Sequence, residues 1–420
     1  PSSSCTPMFM PVGTQGAVKG LTAAQLEHLG VQLLLGNTYH LELRPGSRML
    51  SQLAPTSAAA DADANASDAA ALDAGGGGLH EFMGWRRGLL TDSGGFQMVS
   101  LLHLSDVSEE GVSFQSPLDG QRLLLTPERS IQIQNRIGAD IIMALDDVVS
   151  SVAADAARFE EAAARTVRWI DRCLAAHARP QQQSLFAIVQ GGLDARLRES
   201  CLQGLLERNE RLPGYAIGGL AGGEDKASFC RVVAQCTQGL PQNKPRYVMG
   251  VGYPLDIVLC SALGADMYDC VYPTRTARFG TALHDGGVLK LNNAAFANDH
   301  AALESDPLVA ARYPPHYRKV MREYSRSMLH CASKKEAVAG QVLSYHNIGY
   351  MMRFTHDMRQ ALVDGYFPDY VRGFVHNHYP KGDVPDWVCD ALAVAGIAAP
   401  QGGAARGSAA IQSDNPPHTD

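Results

Sequence analysis

The stretch Gly88-Leu89-Leu90-Thr91-Asp92-Ser93-Gly94-Gly95 shows the pattern that decides the fold of this chain: a short apolar run that ends in a polar, glycine-rich turn. Similar runs recur along the 420 residues, and a helical stretch often follows them. Short apolar runs of this kind are typical of buried parallel strands. The other runs are residues 31–35, 140–145, 185–189, 215–217, 247–249 and 267–268.

The segments between these runs have helical spacing. Phe159, Ala163, Val167, Ile170 and Leu174, for example, fall on one face of a helix. About seven strand-turn-helix units predict an α/β fold, a (β/α)8 TIM barrel with insertions, in which the residues after each strand meet at one mouth. A doubly wound open sheet is the alternative, and it is disfavoured because no G-x-G-x-x-G fingerprint follows the first strand.

Composition and charge exclude some classes of protein. The hydrophobic content of 45% allows a sizeable core, and no apolar run approaches the length of a membrane-spanning helix. The formal net charge of -7 argues against a protein that coats nucleic acid without selectivity, but a local basic face would still allow RNA binding. One candidate face, which a solvated helix surface explains more simply, consists of Arg312, Arg318, Lys319, Arg322, Arg326, Lys334 and Lys335.

Cysteine usage and low-complexity stretches set the expected location and domain limits. Nine cysteines are scattered singly and no secretory signal opens the chain, which favours a reducing, cytoplasmic setting. Residues 58–78 are rich in Ala and Asp and end in four glycines, so they are predicted to be a flexible insertion. We expect a barrel core over residues 1–300, the C-terminal part of the barrel with a helical subdomain over 301–399, and a disordered tail over 400–420.

Polar side chains in the turns after the strands are candidates for chemistry. They are Asp92, Asp146, Asp147, Gln190 and Asp269, with glycines beside most of them. Any one could be a turn or helix cap, but several at one barrel mouth are harder to explain in that way. Carboxylates without a cysteine, histidine or metal cluster favour attack on a sugar carbon, where one carboxylate is the nucleophile and another handles a proton. The residues alone therefore predict a barrel enzyme that transfers or hydrolyses a glycosyl group.

Ordered blocks along the chain resemble the signatures of the tRNA-guanine transglycosylases, also called queuine tRNA-ribosyltransferases. The resemblance runs from Thr6 to about Ile397, apart from the insertion and a stretch after Leu291. Residues 145–151, LDDVVSS, are similar to the eukaryotic catalytic subunits that use queuine. The blocks are residues 6–16, 35–40, 90–97, 186–192, 246–253 and 267–280, of which the last, MYDCVYPTRTARFG, is the most specific.

The resemblance implies a reaction and its residues. A transferase of this family exchanges the wobble guanine of tRNAs with a GUN anticodon, those for His, Tyr, Asn and Asp, for queuine by double displacement. Asp269 matches the nucleophile, which would attack C1′ of the wobble nucleotide and form a covalent intermediate. Asp92 matches the acid/base residue that would take a proton from the incoming base. The implied base-binding residues are Asp92, Ser93, Gly94, Gly95, Phe96, Asp146, Gln190, Gly218, Gly219, Leu220 and Met249, with Phe96 stacking on the base.

The resemblance also implies where the partners bind. The partners are the anticodon loop of tRNA, guanine, queuine and a related accessory subunit in a heterodimer. Arg275 and Arg278 match residues that read the bases beside the wobble position, and guanidinium groups suit base edges and phosphates. The implied tRNA-binding residues are Gly250, Val251, Gly252, Tyr253, Pro254, Leu255, Asp256, Thr274, Arg275, Thr276, Ala277 and Arg278.

A structural zinc ion is a further implication, and here the chain departs from the family pattern. The family holds zinc with a C-x-C-x-x-C run and a later histidine. The corresponding positions are His316, Arg318, Met321 and His346, of which only the last matches. Because arginine cannot ligate zinc and methionine rarely does, we expect no metal of the family type. The implied chemistry itself requires no cofactor.

Two other functions remain open at the level of sequence. One is a non-catalytic accessory subunit of the same heterodimer, which the loss of zinc ligands favours. The presence of Asp92, Asp146, Gln190 and Asp269 in matching blocks argues for a catalytic subunit instead. The other is a barrel glycosidase acting on free nucleosides, which would explain the carboxylates but not the block of residues 273–278.

Overall fold

The computed structural model describes residues 6–53, 77–95, 106–116, 120–153, 155–304, 311–313, 315–333 and 336–400, without the side chains of residues 315, 316, 319 and 320. Most of the predicted insertion at 58–78 and nearly all of the predicted tail at 400–420 lie outside the described residues. Phe96, which is predicted to stack on the base, also lies outside them.

Eight parallel strands close into a barrel, so the predicted TIM barrel is confirmed and the open-sheet alternative is wrong. The barrel order is β1-β11-β10-β9-β8-β7-β3-β2. In chain order the strands are β1 (Met8–Gly13), β2 (Leu33–Gly36), β3 (Gly88–Thr91), β4 (Asp106–Val107), β5 (Val112–Gln115), β6 (Arg122–Leu125), β7 (Ile141–Met143), β8 (Ser184–Val189), β9 (Gly214–Ile217), β10 (Arg246–Val248), β11 (Met267–Cys270), β12 (Thr281–His284) and β13 (Gly287–Lys290).

Seven of the barrel strands coincide with the apolar runs of the sequence. The remaining one, β1, pairs in parallel with β11, where Met8 lies opposite Met267, and with β2, where Val12 lies opposite Leu35. Strands β4, β5 and β6 form a separate three-stranded antiparallel sheet, and β12 and β13 form a hairpin. Neither addition follows from the apolar runs of the sequence.

Helices follow most of the barrel strands. Among the described residues they are α1 (Ala23–His28), α2 (Thr38–Leu43), α3 (Ser47–Ser51), α4 (Gly78–Met83), α5 (Pro127–Ile137), α6 (Ala156–Ala176), α7 (Ala195–Leu206), α8 (Lys226–Gly239), α9 (Pro254–Ala262), α10 (Tyr272–Arg278), α11 (Pro315–Glu323), α12 (Arg326–Ser333), α13 (Ala337–Val363), α14 (Phe367–His378) and α15 (Asp386–Val394). None of the described helices is both long and apolar enough to cross a lipid bilayer.

Helix α6 shows how local sequence forms these elements. Asp155 precedes it and accepts a hydrogen bond from the backbone N–H of Arg158, which caps the helix. Trp169, which the predicted helix face did not include, is buried on the inner side. The helix packs against α5 and α7. The buried members of the predicted face are Ala163, Ile170 and Leu174.

The chain forms two compact units. One contains Val12–Ala17 and Leu33–Met249, and therefore strands β2 to β10. The other contains Val18–Gln32 and the chain from Gly250 onward, and therefore β11 to β13 and helices α9 to α15. A hydrophobic cluster in this second unit joins α10, β12, α12 and α13 through Ala277, Ala282, Leu329 and Leu343.

Candidate active site

Asp92 directly follows β3 and is held rigidly by the start of α2. Its Oδ1 accepts a hydrogen bond from the backbone N–H of Thr38 at 2.8 Å, and its Oδ2 accepts one from Nδ2 of Asn37 at 2.6 Å. The Thr38 hydroxyl also donates to the Asp92 carbonyl oxygen at 2.5 Å. Asn37 is the N-cap of α2 and accepts from the backbone N–H of His40. The residues that cap this helix therefore also orient the Asp92 carboxylate.

Asp146 follows β7 and is buried, and the side chains that donate to its carboxylate among the described residues are uncharged. The Ser93 hydroxyl donates to its Oδ1 at 3.0 Å, and Nε2 of Gln190 donates to its Oδ2 at 2.7 Å. Burial raises the pKa of Asp146 to about 6, although the hydrogen bonds from Gln190 and Ser93 act to lower the pKa. Three residues from three different strand ends thus meet at one buried carboxylate.

The adjacent Asp147 has a different environment. Its side chain is fully buried and forms ion pairs with Arg158 and Arg165 on α6. Its backbone N–H donates to the hydroxyl of Thr166 on the same helix at 3.1 Å. Asp147 therefore attaches the turn after β7 to α6, while the side chain of Asp146 contacts Ser93 and Gln190.

Glycines let Gln190 approach the turn after β9. A Cβ atom on Gly218 would lie 2.9 Å from Nε2 of Gln190, and one on Gly219 would lie 2.3 Å from its Oε1. Gly219 also has a φ of +67°, in the left-handed region that favours glycine. Leu220 is buried, and Met249, which follows β10, is half-buried.

The turn after β3 also requires glycines, for its backbone conformation and for close packing. Gly94 has a φ of +81°, and the backbone N–H of Gly95 donates to the Ser93 hydroxyl at 3.2 Å. A Cβ atom on Gly95 would lie 3.3 Å from the carbonyl oxygen of Asp146. The glycines therefore allow the turns after β3 and β7 to pack closely.

Polar side chains of α5 that were not among the predicted site residues form a buried hydrogen-bond network with this turn and the strands beside it. The Ser130 hydroxyl donates to the Ser93 carbonyl oxygen at 2.8 Å. Oε1 of Gln134 accepts from the Thr91 hydroxyl at 3.0 Å and from the Met143 N–H at 2.9 Å. The signal in the sequence was the spacing of Ser130 and Gln134, which places two polar residues one turn apart on the inner face of α5.

Asp269 lies within β11 and is half-buried, in the second compact unit. Its Oδ1 accepts a hydrogen bond from the backbone N–H of Gly250 at 2.8 Å. A Cβ atom on Gly252 would lie 2.3 Å from Cβ of Cys270, so this turn packs directly on β11. The carboxylate is thus oriented by a backbone donor from the residues that follow β10.

Comparison with known proteins establishes the family. Residues 2–380 match the family model described as queuine tRNA-ribosyltransferase. This chain belongs to the queuine tRNA-ribosyltransferase family. The queuine tRNA-ribosyltransferase catalytic subunit of Schizosaccharomyces pombe is 47% identical over 397 residues, 93% of this chain and 91% of the relative. That of Caenorhabditis elegans is 42% identical over 402 residues, 92% of each chain. A queuine tRNA-ribosyltransferase of Thermus thermophilus is 43% identical over 393 residues, 93% of this chain and 92% of the relative.

The positions implied for tRNA binding in the queuine tRNA-ribosyltransferases divide into exposed and buried residues. Arg275 and Arg278 are exposed one turn apart on α10, and Gly250 is exposed as well. Phe279, which follows them and was not predicted as a site residue, is 70% exposed. Tyr253 and Tyr272 contact each other with ring centroids 4.4 Å apart. The half-buried positions are Tyr253, Pro254 and Thr276, and the buried ones are Val251, Gly252, Leu255, Asp256, Thr274 and Ala277.

The positions that correspond to the family zinc ligands have other contacts here. Nε2 of His346 lies 2.7 Å from the Leu283 carbonyl oxygen, and its Nδ1 lies 3.0 Å from the Tyr317 hydroxyl. Burial lowers the pKa of His346 to about 4, so its imidazole is neutral at pH 7. Arg318 donates to the carbonyl oxygens of residues 311 and 313, and Met321 is fully buried. The His316 side chain lies outside the described residues, among which no group of three or more His, Cys, Asp or Glu could hold a metal ion.

Proposed function

We propose that this chain is the catalytic subunit of a tRNA-guanine transglycosylase that exchanges the wobble guanine of GUN-anticodon tRNAs for queuine. The observation that carries the proposal is the buried Asp146 carboxylate, which accepts hydrogen bonds from the uncharged Ser93 and Gln190. The family match and the similarity to relatives named catalytic subunits support it.

Guanine complements this carboxylate. Its N1–H and 2-amino group are adjacent donors, and a buried carboxylate is an acceptor that strongly prefers such a pair. Gln190 and the backbone N–H of Gly219 are suited to the O6 side of the base. Adenine would present an acceptor at N1 instead of a donor, and a buried polar group left without its partner is costly. The site therefore selects bases that carry the 2-amino, N1–H and 6-oxo edge of guanine, which the core of queuine shares.

The chemistry follows from two carboxylates with separate roles. Asp269 attacks C1′ of the wobble ribose, the C1′–N9 bond breaks, and its electron pair leaves with guanine, which takes up a proton. Asp92 then removes a proton from the incoming base. The freed nitrogen pair attacks C1′ from the side that guanine left and releases the Asp269 carboxylate. Two inversions retain the configuration at C1′.

We also propose that the chain binds no zinc of the family type. His346 is the one matching ligand, and both of its ring nitrogens already contact oxygen atoms. A metal would have to displace Tyr317 or the Leu283 carbonyl, and an arginine and a methionine occupy two of the other positions. The residues therefore do not fit a four-ligand zinc site.

The decisive experiment measures incorporation of labelled guanine and queuine into a GUN-anticodon tRNA. The purified chain is tested alone and with its related accessory subunit, as wild type, Asp269→Ala and Asp92→Ala. The control is Glu160→Gln, an exposed carboxylate on α6. Incorporation by the wild type and the control, and none by Asp269→Ala, supports the proposal.

The same experiment separates the alternatives. An accessory subunit predicts full incorporation by the complex that carries Asp269→Ala, because its partner would supply the nucleophile. A glycosidase on free nucleosides predicts release of guanine from guanosine without any incorporation into tRNA. Either result contradicts the proposed function.

A further inference from the structure

Arg198, on α7, is fully buried and donates to three backbone carbonyl oxygens. Its Nε donates to the Gly192 carbonyl at 2.8 Å, its Nη1 to the Val189 carbonyl at 2.7 Å, and its Nη2 to the Gly218 carbonyl at 2.8 Å. Within the described part of the chain, no carboxylate lies within ion-pairing distance of this guanidinium. The charge is therefore stabilised by peptide dipoles.

An arginine in this position is unusual on physical grounds. Burying a charge without a counter-ion is costly, and burial lowers the pKa of Arg198, but a guanidinium stays protonated in proteins. A leucine or methionine would avoid that cost, but it would leave three carbonyl oxygens without the donors that Arg198 supplies. The cation must therefore contribute something that an apolar side chain cannot.

The three carbonyls belong to the turns that form the base site of the proposed function. Val189 and Gly192 flank Gln190 and Gly191, and Gly218 precedes Gly219. The turn after β8 also lies directly on α7, because a Cβ atom on Gly191 would be 2.7 Å from the backbone nitrogen of Arg198. Arg198 thus holds the turns after β8 and β9 in a fixed relation.

The bond to Gly218 has a consequence for the next residue. The Gly218 carbonyl and the Gly219 N–H belong to one peptide unit, so a cation at the oxygen polarises the unit and makes the N–H a stronger donor. Gly219 is half-buried, and its N–H forms no hydrogen bond with the described residues. The N–H points away from its own carbonyl, and therefore away from Arg198, as a strengthened and available donor.

We propose that Arg198 is a positioning residue for base recognition, which polarises the Gly218–Gly219 peptide so that the Gly219 N–H binds the 6-oxo group of an oxopurine. The inference rests on the proposed function and adds a residue that does not itself touch the base. It predicts that the effect of Arg198 depends on how well the atom at position 6 accepts a hydrogen bond.

The test compares the dissociation constants of guanine and 6-thioguanine by calorimetry on the full chain. 6-Thioguanine keeps the N1–H and 2-amino donors but replaces O6 by sulfur, a weak acceptor. We expect Arg198→Gln to weaken guanine about tenfold and 6-thioguanine about twofold, since one charge-assisted contact is of this order. The matched control is Arg196→Gln, on the same helix and exposed, which should change neither value.

Equal weakening of both ligands by Arg198→Gln would overturn the proposal, because a purely structural role does not distinguish oxygen from sulfur. Should Arg198→Gln fail to fold, as judged by circular dichroism, Arg198→Lys provides the same comparison. A lysine has one nitrogen in place of the three that contact the Gly192, Val189 and Gly218 carbonyls, so the contact with Gly218 is weakened. Guanine should therefore still lose more affinity than 6-thioguanine, and equal losses again overturn the proposal. If the wild type does not exchange guanine in tRNA, that result contradicts the proposed function itself, independently of the role of Arg198.

Discussion

The Tyr317 hydroxyl lies 3.0 Å from Nδ1 of His346 and 2.7 Å from the backbone oxygen of the same histidine. The other ring nitrogen contacts the Leu283 carbonyl at 2.7 Å, so His346 joins α11, α13 and β12 through hydrogen bonds. In a zinc-binding histidine one of these nitrogens would bind the metal and the other would donate to an oxygen. Here the Tyr317 hydroxyl contacts the ring nitrogen that does not contact the Leu283 carbonyl, in the place where a metal ion would bind.

Stability that does not depend on zinc is the first prediction. Because Tyr317 and the Leu283 carbonyl already satisfy His346, prolonged dialysis against a chelator should leave the melting temperature unchanged. Elemental analysis of the purified chain should find far less than one zinc per chain. Stoichiometric zinc, together with a lower melting temperature after its removal, would contradict the proposed loss of the site.

A second prediction concerns Gly349 on α13, whose missing side chain makes room for the Tyr317 ring. A Cβ atom on Gly349 would lie 2.6 Å from Cε2 of this buried ring. Gly349→Ala should therefore displace the ring and lower the free energy of unfolding by about 1–3 kcal/mol. Gly373→Ala on α14 is the control, because nothing lies within 4 Å of its added Cβ, and it should stabilise the helix by about 0.5–1 kcal/mol. Denaturant unfolding of both variants measures the difference.

Substitution of Asp146 and Asp147 by asparagine should have opposite effects on stability. Asp147→Asn breaks the buried ion pairs with Arg158 and Arg165 and should destabilise the fold by about 3 kcal/mol. The pKa of Asp146 in the folded chain is about 6, which is above that of an aspartate in the unfolded chain. Its protonated form therefore contributes fully to the free energy of unfolding below about pH 4, and this contribution is lost as the pH rises through 6.

The side chain of Asp146→Asn cannot ionise, so the variant does not lose stability as the pH rises. It should therefore have a higher free energy of unfolding than the wild type above pH 6, by up to about 3 kcal/mol, since two pKa units correspond to this free energy. The measurement is denaturant unfolding of both variants at pH 8. Destabilisation of similar size in the two variants would show that Asp146 is a structural residue like its neighbour.

The affinity for guanine should depend on pH through Asp146. Because the base offers two donors to this carboxylate, only the ionised form binds it well, and the pKa of Asp146 is about 6. We expect a constant dissociation constant above pH 7 and an increase of about tenfold per unit well below pH 6. Calorimetry in two buffers at pH 5 should report release of about one proton per guanine bound. A flat profile from pH 8 to 4.5 would exclude this role for Asp146.

Binding of tRNA should depend on salt through Arg275 and Arg278. Both are exposed on one side of α10, where they are able to reach phosphates or base edges. The double substitution by glutamine should reduce the slope of log K against log salt by about 1.4, the value for two single-stranded phosphate contacts. Arg372→Gln on α14 serves as the control cation. An unchanged slope in the double variant would show that these two arginines do not contact phosphates of the tRNA.

Much of the fold was predictable from local sequence. Seven barrel strands follow from short apolar runs that end in polar turns, because burial on both faces and the need for turn residues act over a few neighbouring positions. The strand β1 was missed because its residues were noted only for their family resemblance. The same local signal singled out Asp92, Asp146, Gln190 and Asp269 as candidates, and the resemblance assigned roles to them.

The sequence by itself therefore determined the barrel, the family and the turns that carry polar side chains. Only the tertiary structure distinguished Asp146, which uncharged donors contact, from Asp147, which two arginines neutralise. It also placed Arg198 against the turns after β8 and β9 and Tyr317 on His346. These contacts join residues far apart in the chain, and the environment of a buried charge or ring nitrogen depends on all the elements packed around it, which no local pattern encodes.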